Sequence, residues 1–236
     1  MISIICICNQ RKVYNQFLKK SLDRQHQCSY ELLVIDNSNH QYSSAAYAFN
    51  QMAKKAKGDL LMFVHQDMEL CDDYFLNKVE STFKENDNLG IVGVAGCKDG
   101  KVISNIYHSN PKVLVSSHHI DTLTTVNSLD ECLFVIPKSI VLEYPFDERV
   151  CHHWHLYAVE YCYHMKSLNK TVAVLPLDAY HASYGDFMNE GYYQTLELLA
   201  KKYHHQFKKI DTTIRSWSTN PLLLKLNIQY LRYKKG

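Results

Sequence analysis

The chain has 236 residues, 46% of them hydrophobic, with 26 basic against 24 acidic side chains. That length suits one large domain with a sizeable core, and the balanced charge excludes a nucleic-acid binder built on a basic face. The eight cysteines include no CxxC pair, so zinc and disulfide frameworks are set aside in favour of buried thiols in a reducing, cytoplasmic setting.

Ile2 to Cys8 is an unbroken apolar run, the pattern of a strand buried on both faces. It has no basic start and no small-residue cleavage site, so it reads as a strand and not as a leader. Val13, Phe17, Leu18 and Leu22 then recur at helical spacing. ELLVIDN, residues 31–37, is a second buried strand ending on Asp36 and Asn37. Ser43 to Lys57 predicts a helix, with Ser43 or Ser44 as its cap and Gly58 as its stop. Leu60 to Val64 is a third buried strand, and it runs straight into His65, Gln66 and Asp67. Asp72 and Asp73 open a helix to about Lys84, with acids at its positive end. Residues 89–96 form a fourth strand.

Strand alternating with helix implies a mostly parallel α/β sheet with right-handed crossovers. Ligands of such sheets bind outside the carboxyl ends of the strands. Asp36 and residues 65–67 are therefore expected on one rim. A polar exit made for solvation alone is the competing explanation.

Past Gly96 the pattern loosens. Residues 97–128 hold short strand-like pieces broken by Asn110-Pro111, and ECLFVIPKSIV reads as a strand passing into a short helix. Trp154 to Leu168 predicts a helix rich in Tyr and His, 171–177 a strand with the exit AYHASYG, and Glu190 to Phe207 a long helix. The end, PLLLKLNIQYLRYKKG, sets Leu222, Leu223, Leu226 and Tyr230 on one helical stripe. Lys225, Arg232, Lys234 and Lys235 are available to water or anionic lipid. Peripheral membrane contact, packing on the body and a homo-oligomer contact all remain open for this stripe. No stretch approaches the ~20 apolar residues of a membrane span.

ISIICICN, LLVIDNS, GDLLMFVHQDMEL, VNSLDECLFVIPK and the helix after FDER, in this order, resemble glycosyltransferases of the GT-A fold, family 2 type. The third element resembles a subgroup whose metal motif reads HQD in place of DxD. The resemblance runs from Ile2 to about Phe207. It implies one GT-A domain over 1–208, with a nucleotide-binding half at 1–97 and an acceptor-binding half at 98–208. Residues 209–236 are left as a C-terminal helical tail.

The resemblance implies an enzyme that moves a sugar, with inversion, from a nucleoside diphosphate sugar. That sugar is UDP-linked by preference, and the acceptor is a saccharide, lipid- or protein-linked, in glycan or polysaccharide assembly. A leaving diphosphate needs positive charge, so Mn²⁺ or Mg²⁺ is implied as cofactor. Asp67 matches the last acid of the metal motif and His65 the first. Imidazole suits Mn²⁺ better than Mg²⁺, and His65 has the alternative of donating to a phosphate or ribose oxygen. His181 matches a histidine that approaches metal and diphosphate, with a structural histidine as the alternative. Asp36 matches the nucleotide-recognising acid, the alternative being a helix cap. Asn9 is expected near the base. Asn50 is a candidate nucleotide contact or a plain exposed amide. Asp130 matches the acceptor-side acid or its neighbour, with Glu131 pointing the other way.

One position departs from the pattern. An inverting transfer needs a general base, and the family's base aligns with Ala158. His155 is the first replacement, since an ordinary imidazole titrates near ~6.5, and Glu160 is the second. A non-catalytic module that binds nucleotide or glycan, or stabilises a partner transferase, is the alternative. A nucleotidyltransferase is set aside because CNQRKVYNQ lacks the glycines of a phosphate loop.

Overall fold

The computed structural model describes residues 1–183 and 188–235. The expected exit AYHASYG ends on Tyr184 and Gly185, which lie outside the described residues. At the centre is a seven-stranded sheet. Its order is Thr124–Thr125, Thr171–Val174, Leu89–Gly93, Leu133–Pro137, Leu60–Val64, Ile2–Cys8 and Tyr30–Asp36. Ile2–Cys8 runs parallel to both of its neighbours, with Ile2 opposite Tyr30 and Leu60. Thr171–Val174 runs parallel to Leu89–Gly93. Leu133–Pro137 is reversed, antiparallel to both neighbours, with Leu133 opposite Val64 and Pro137 opposite Leu60. The sheet is thus mixed and mostly parallel, flanked by helices, in a single domain.

The apolar runs have the physical cause expected of them. Successive strand residues point to opposite faces, and both faces carry a core. Ile5, Leu61, Phe63 and Phe134 join one core, and Ile4, Met62, Val64 and Leu133 the other. On the first face Phe63 lies 4.7 Å from Phe49 and 5.1 Å from Phe134, ring centre to ring centre. Such pairs contribute about 0.5–1.5 kcal/mol each beyond their buried area.

The first helical stretch begins at Arg11, earlier than the spacing suggests, and passes through a π-helical piece, Asn15–Lys19, before ending at Leu22. Ala45–Lys55 is capped by Ser44, whose Oγ accepts the Tyr47 N–H at 3.3 Å. This helix ends before Gly58, which has a different task. A Cβ there would sit 2.5 Å from the Ser3 backbone nitrogen, so only glycine lets the chain pass the first strand so closely. Phe75–Glu85 starts after Asp72 and Asp73; Asp72 turns the chain by accepting the Tyr74 N–H at 2.8 Å. Tyr157–Ser167 starts later than Trp154, because Leu156 has a left-handed backbone with φ of 62°. The long helix is Glu190–Tyr203. All eight cysteines are thiols.

Residues after 208 do not begin as a separate tail. Lys209–Asp211 and Ser216–Ser218 form a hairpin. Its Trp217 is fully buried and donates its indole N–H to the Tyr192 hydroxyl at 3.1 Å. The final helix is Pro221–Lys235, whose Leu224 and Ile228 are buried against the body.

Candidate active site

The third strand of the sequence order, Leu60–Val64, ends at the rim of the sheet, and a short second sheet completes the site there. Met68–Leu70 pairs antiparallel with Ala179–His181, with Met68 opposite His181. The Ala182 N–H donates to the Asp67 carbonyl at 3.1 Å. This register sets His181 beside Asp67, although 114 positions separate them in the sequence (181 − 67).

His65, Asp67 and His181 offer ligand atoms that all lie within 4.8 Å of one another. His181 Nε2 is 3.3 Å from Asp67 Oδ2, but not aligned for a hydrogen bond. It is buried and makes no hydrogen bond among the described residues. A buried nitrogen without a hydrogen bond is costly unless something binds it.

The electrostatics agree. Burial alone would raise the Asp67 carboxyl, but His181 and the Ser183 hydroxyl, which donates at 2.5 Å, hold it far below the usual carboxylate range. Burial, with His181 nearby, lowers His65 and keeps it neutral. Burial opposes the charged form of His181, yet the Asp67 carboxylate outweighs it and raises that group. Two imidazoles and one ionised carboxylate are a donor set that fits Mn²⁺ and its transition-metal neighbours better than Mg²⁺, which prefers oxygen alone.

A cavity of about 800 Å³ opens beside this cluster, within the size range of nucleotide and cofactor sites. Asn9, Asn37, His40, Gln66 and Trp154 line it, with Phe49 also on its wall. The π-helical piece contributes Gln16 and Phe17; such irregular turns are frequent at functional sites. Gln66, the middle residue of HQD, clasps the first strand's exit. Its Oε1 accepts the Asn9 and Gln10 N–H groups at 3.1 and 2.9 Å, and its Nε2 donates to Asn9 Oδ1 at 2.6 Å. Two strand exits are thereby locked together. Asp36 sits at the neighbouring exit, exposed, and accepts the Ser38 N–H at 2.9 Å. Asn37, buried, lines the cavity wall in its place.

A second cavity of about 210 Å³ adjoins the first, sharing His65, Trp154 and Ser183 with it. Asp130, Glu131, His155 and His181 line it too. The reversed strand explains the acids, since it enters the sheet at the rim where the parallel strands leave. There the His65 N–H donates to the Cys132 carbonyl at 2.8 Å. Asp130 and Glu131 both reach this cavity, so they do not point apart as expected. Asp130 accepts the Thr213 hydroxyl at 2.6 Å. Glu131 accepts the Tyr157 N–H at 2.9 Å, standing at the start of the helix Tyr157–Ser167. Burial and the Asp130 charge push its carboxyl up, against that hydrogen bond. The Tyr157 hydroxyl reaches His65 Nε2 at 3.2 Å. His155 packs edge-on against Tyr192, ring centres 5.9 Å apart.

Two expected residues are elsewhere. Glu160 is 1% exposed and faces the long helix, where its Oε1 accepts Lys202 Nζ at 2.7 Å and the Tyr203 hydroxyl at 3.0 Å. It lines neither cavity. Asn50 is also buried. Its Nδ2 donates to the Phe146 carbonyl and to Glu148, and its Oδ1 accepts the Phe146 N–H at 2.9 Å. It clamps a loop 96 positions away, both of its amide hydrogens are used there, and it lines neither cavity. Ala158 is fully buried.

No curated protein matches the chain. Solved structures do. Staphylococcus aureus TarS 1–349 in complex with UDP-GlcNAc superposes with a TM-score of 0.59 at 15% identity, over 85% of this chain and 66% of that one. GalNAc-T7 with UDP, GalNAc and Mn²⁺ gives 0.60 at 10% identity, over 84% of this chain and 47% of that one. The chain therefore spans at most about two thirds of those proteins. At such identities the likeness establishes the fold, which is GT-A. The family described as "Glycosyltransferase like family" matches residues 3–203. With most of its length covered by that match, the chain belongs to this glycosyltransferase family.

Proposed function

We propose that the protein transfers a sugar, with inversion, from a nucleoside diphosphate sugar to a saccharide hydroxyl in glycan or polysaccharide assembly. The observation that carries this reading is the convergence of His65, Asp67 and His181 beside a nucleotide-sized cavity on the carboxyl rim. Uridine is the nucleoside we favour, since TarS and GalNAc-T7, which share the fold, were solved with UDP or a UDP-sugar. The larger cavity takes the nucleotide, with Asn9 and Asn37 offering amides to it and Asp36 a carboxylate at the neighbouring strand exit. His65, Asp67 and His181 would hold a divalent cation, Mn²⁺ in preference to Mg²⁺. When bound, such an ion supplies positive charge to the departing diphosphate.

The smaller cavity takes the acceptor. Asp130 and Glu131 accept hydrogen bonds from sugar hydroxyls, and exposed Trp154, between the cavities, offers a face for a sugar ring. His155 removes the proton of the attacking hydroxyl, the task that Ala158 cannot perform. The thiols suit a cytoplasmic setting.

Titration calorimetry with UDP, with and without Mn²⁺, tests the donor site. A mass-spectrometric screen of nucleotide sugars for hydrolysis tests the reaction. Ala158 also supports a second reading, a non-catalytic module. UDP binding with no turnover of any nucleotide sugar would select that reading, and absence of binding by every nucleoside diphosphate tried, with Mn²⁺ present, would refute the donor site.

A further inference from the structure

The final helix, Pro221–Lys235, has two apolar faces where a packed helix needs one. Leu224 and Ile228 are buried and dock it on the body. Leu222, Leu223, Leu226, Tyr230 and Tyr233 are 53% to 86% exposed. At about 100° per residue, these five occupy an arc of roughly 100° directly opposite Leu224 and Ile228. The stripe is therefore the outward face of the helix, not a ragged edge of the core.

Charge borders this stripe on both sides. At the same spacing Lys234 falls about 20° outside one edge and Lys225 about 60° outside the other, with Arg232 further round towards the body. Arg232 is tied to Glu190 at 2.6 Å, and Lys234 Nζ rests 5.0 Å from the Tyr230 ring centre. From Pro221 to the last residue the sequence holds no Asp or Glu. An acid-free helix with an apolar outward stripe and lysines beyond both edges complements a surface that is apolar beneath and anionic at the level of the lysines. On such a surface lysine stems lie along the apolar stripe and lift their ammonium groups to the headgroup level. Two tyrosines on the stripe have an apolar ring and a polar tip, as an interface between lipid and water requires.

The alternatives fit less well. A second copy packed stripe to stripe would bring like charges together with no acid on either helix to compensate. This helix does not span a membrane: no helix among the described residues is long and apolar enough to cross one.

We infer that this helix lies flat on an anionic lipid surface, its apolar stripe sunk at the headgroup boundary. This holds whether or not the rim site binds nucleotide. The test is co-sedimentation of the full chain with vesicles of phosphatidylcholine containing phosphatidylglycerol, and with vesicles of phosphatidylcholine alone. The full chain should pellet with the anionic vesicles and bind neutral ones about tenfold more weakly or worse. The variant Leu226→Ser/Tyr233→Ser should lose the pelleting. Both positions are exposed, so its thermal melting should match the parent, which separates lost docking from lost folding. Three outcomes would overturn the inference: a full chain that stays in the supernatant, equal pelleting with neutral vesicles, or pelleting undiminished in the variant. A soluble dimer that the same variant dissociates would assign the stripe to a second copy instead.

Discussion

Glu160→Gln separates a structural from a catalytic carboxylate. The native side chain is 1% exposed and bonded to Lys202 at 2.7 Å and Tyr203 at 3.0 Å. Glutamine keeps the shape and an acceptor for the tyrosine hydroxyl, but removes the charge. Taking one partner from a buried ion pair costs about 3–5 kcal/mol. Lys202 moderates that, being 30% exposed and still paired with Asp147 at 2.7 Å. The expected loss is about 2 kcal/mol, near that of one charge-assisted hydrogen bond. For a chain of this size that lowers Tm by about 4–8 °C. Glu160→Ala should cost about 3–5 kcal/mol, because a cavity and an unpaired hydroxyl are added. Thermal melts followed by circular dichroism measure both. Sugar transfer by the folded Gln variant, assayed well below its Tm, should match the parent. An unchanged Tm, or a loss of a hundredfold or more in turnover with the fold intact, would return Glu160 to the chemistry.

Asp67→Asn should abolish Mn²⁺-dependent UDP binding in calorimetry, and undiminished binding would remove its metal role. His155→Ala should lower turnover by ~10²–10⁴-fold with UDP affinity retained; full activity would move the base to Glu131, tested by Glu131→Gln. The pH response should reverse with metal. Asp67 raises the His181 pKa above its ordinary ~6.5. In metal-free protein this pair therefore stabilises below that value, and the stabilisation is lost as pH rises through the raised pKa. A metal needs the imidazole deprotonated, so stabilisation by Mn²⁺ should instead grow across the same window. Melts with and without MnCl₂ between about pH 6 and pH 8.5 check this, and parallel curves would refute it.

The strand exits were legible because a strand buried on both faces is one apolar run, and its end is where polarity returns. His65, Asp67 and His181 followed from that pattern and the resemblance together. Asn50 and Glu160 misled because a buried polar side chain and a ligand-binding one look alike in sequence; only partners such as Phe146 and Lys202 distinguish them. Periodicity also hid the reversal of Leu133–Pro137, since an apolar run carries no direction. The hairpin at 209–218 is not legible in the sequence, because two three-residue strands fall below any periodic signal. Gln66 stood in view inside HQD, but its clasp on Asn9 depends on a neighbour 57 positions away.

The reversed strand Leu133–Pro137 has a consequence for how such a protein can diversify. In the proposed function the strands that run opposite to it present the donor side on segments that leave the sheet, whereas Asp130 and Glu131 arrive on a segment that enters it. On that proposal the two substrates would be read by connections of opposite polarity. Lengthening or rewriting the entering segment ahead of Leu133 would remodel the acceptor side and leave the exits at Cys8, Asp36 and Val64 unaltered. Grafting that segment between relatives is accordingly a route to new acceptors on an unchanged donor frame.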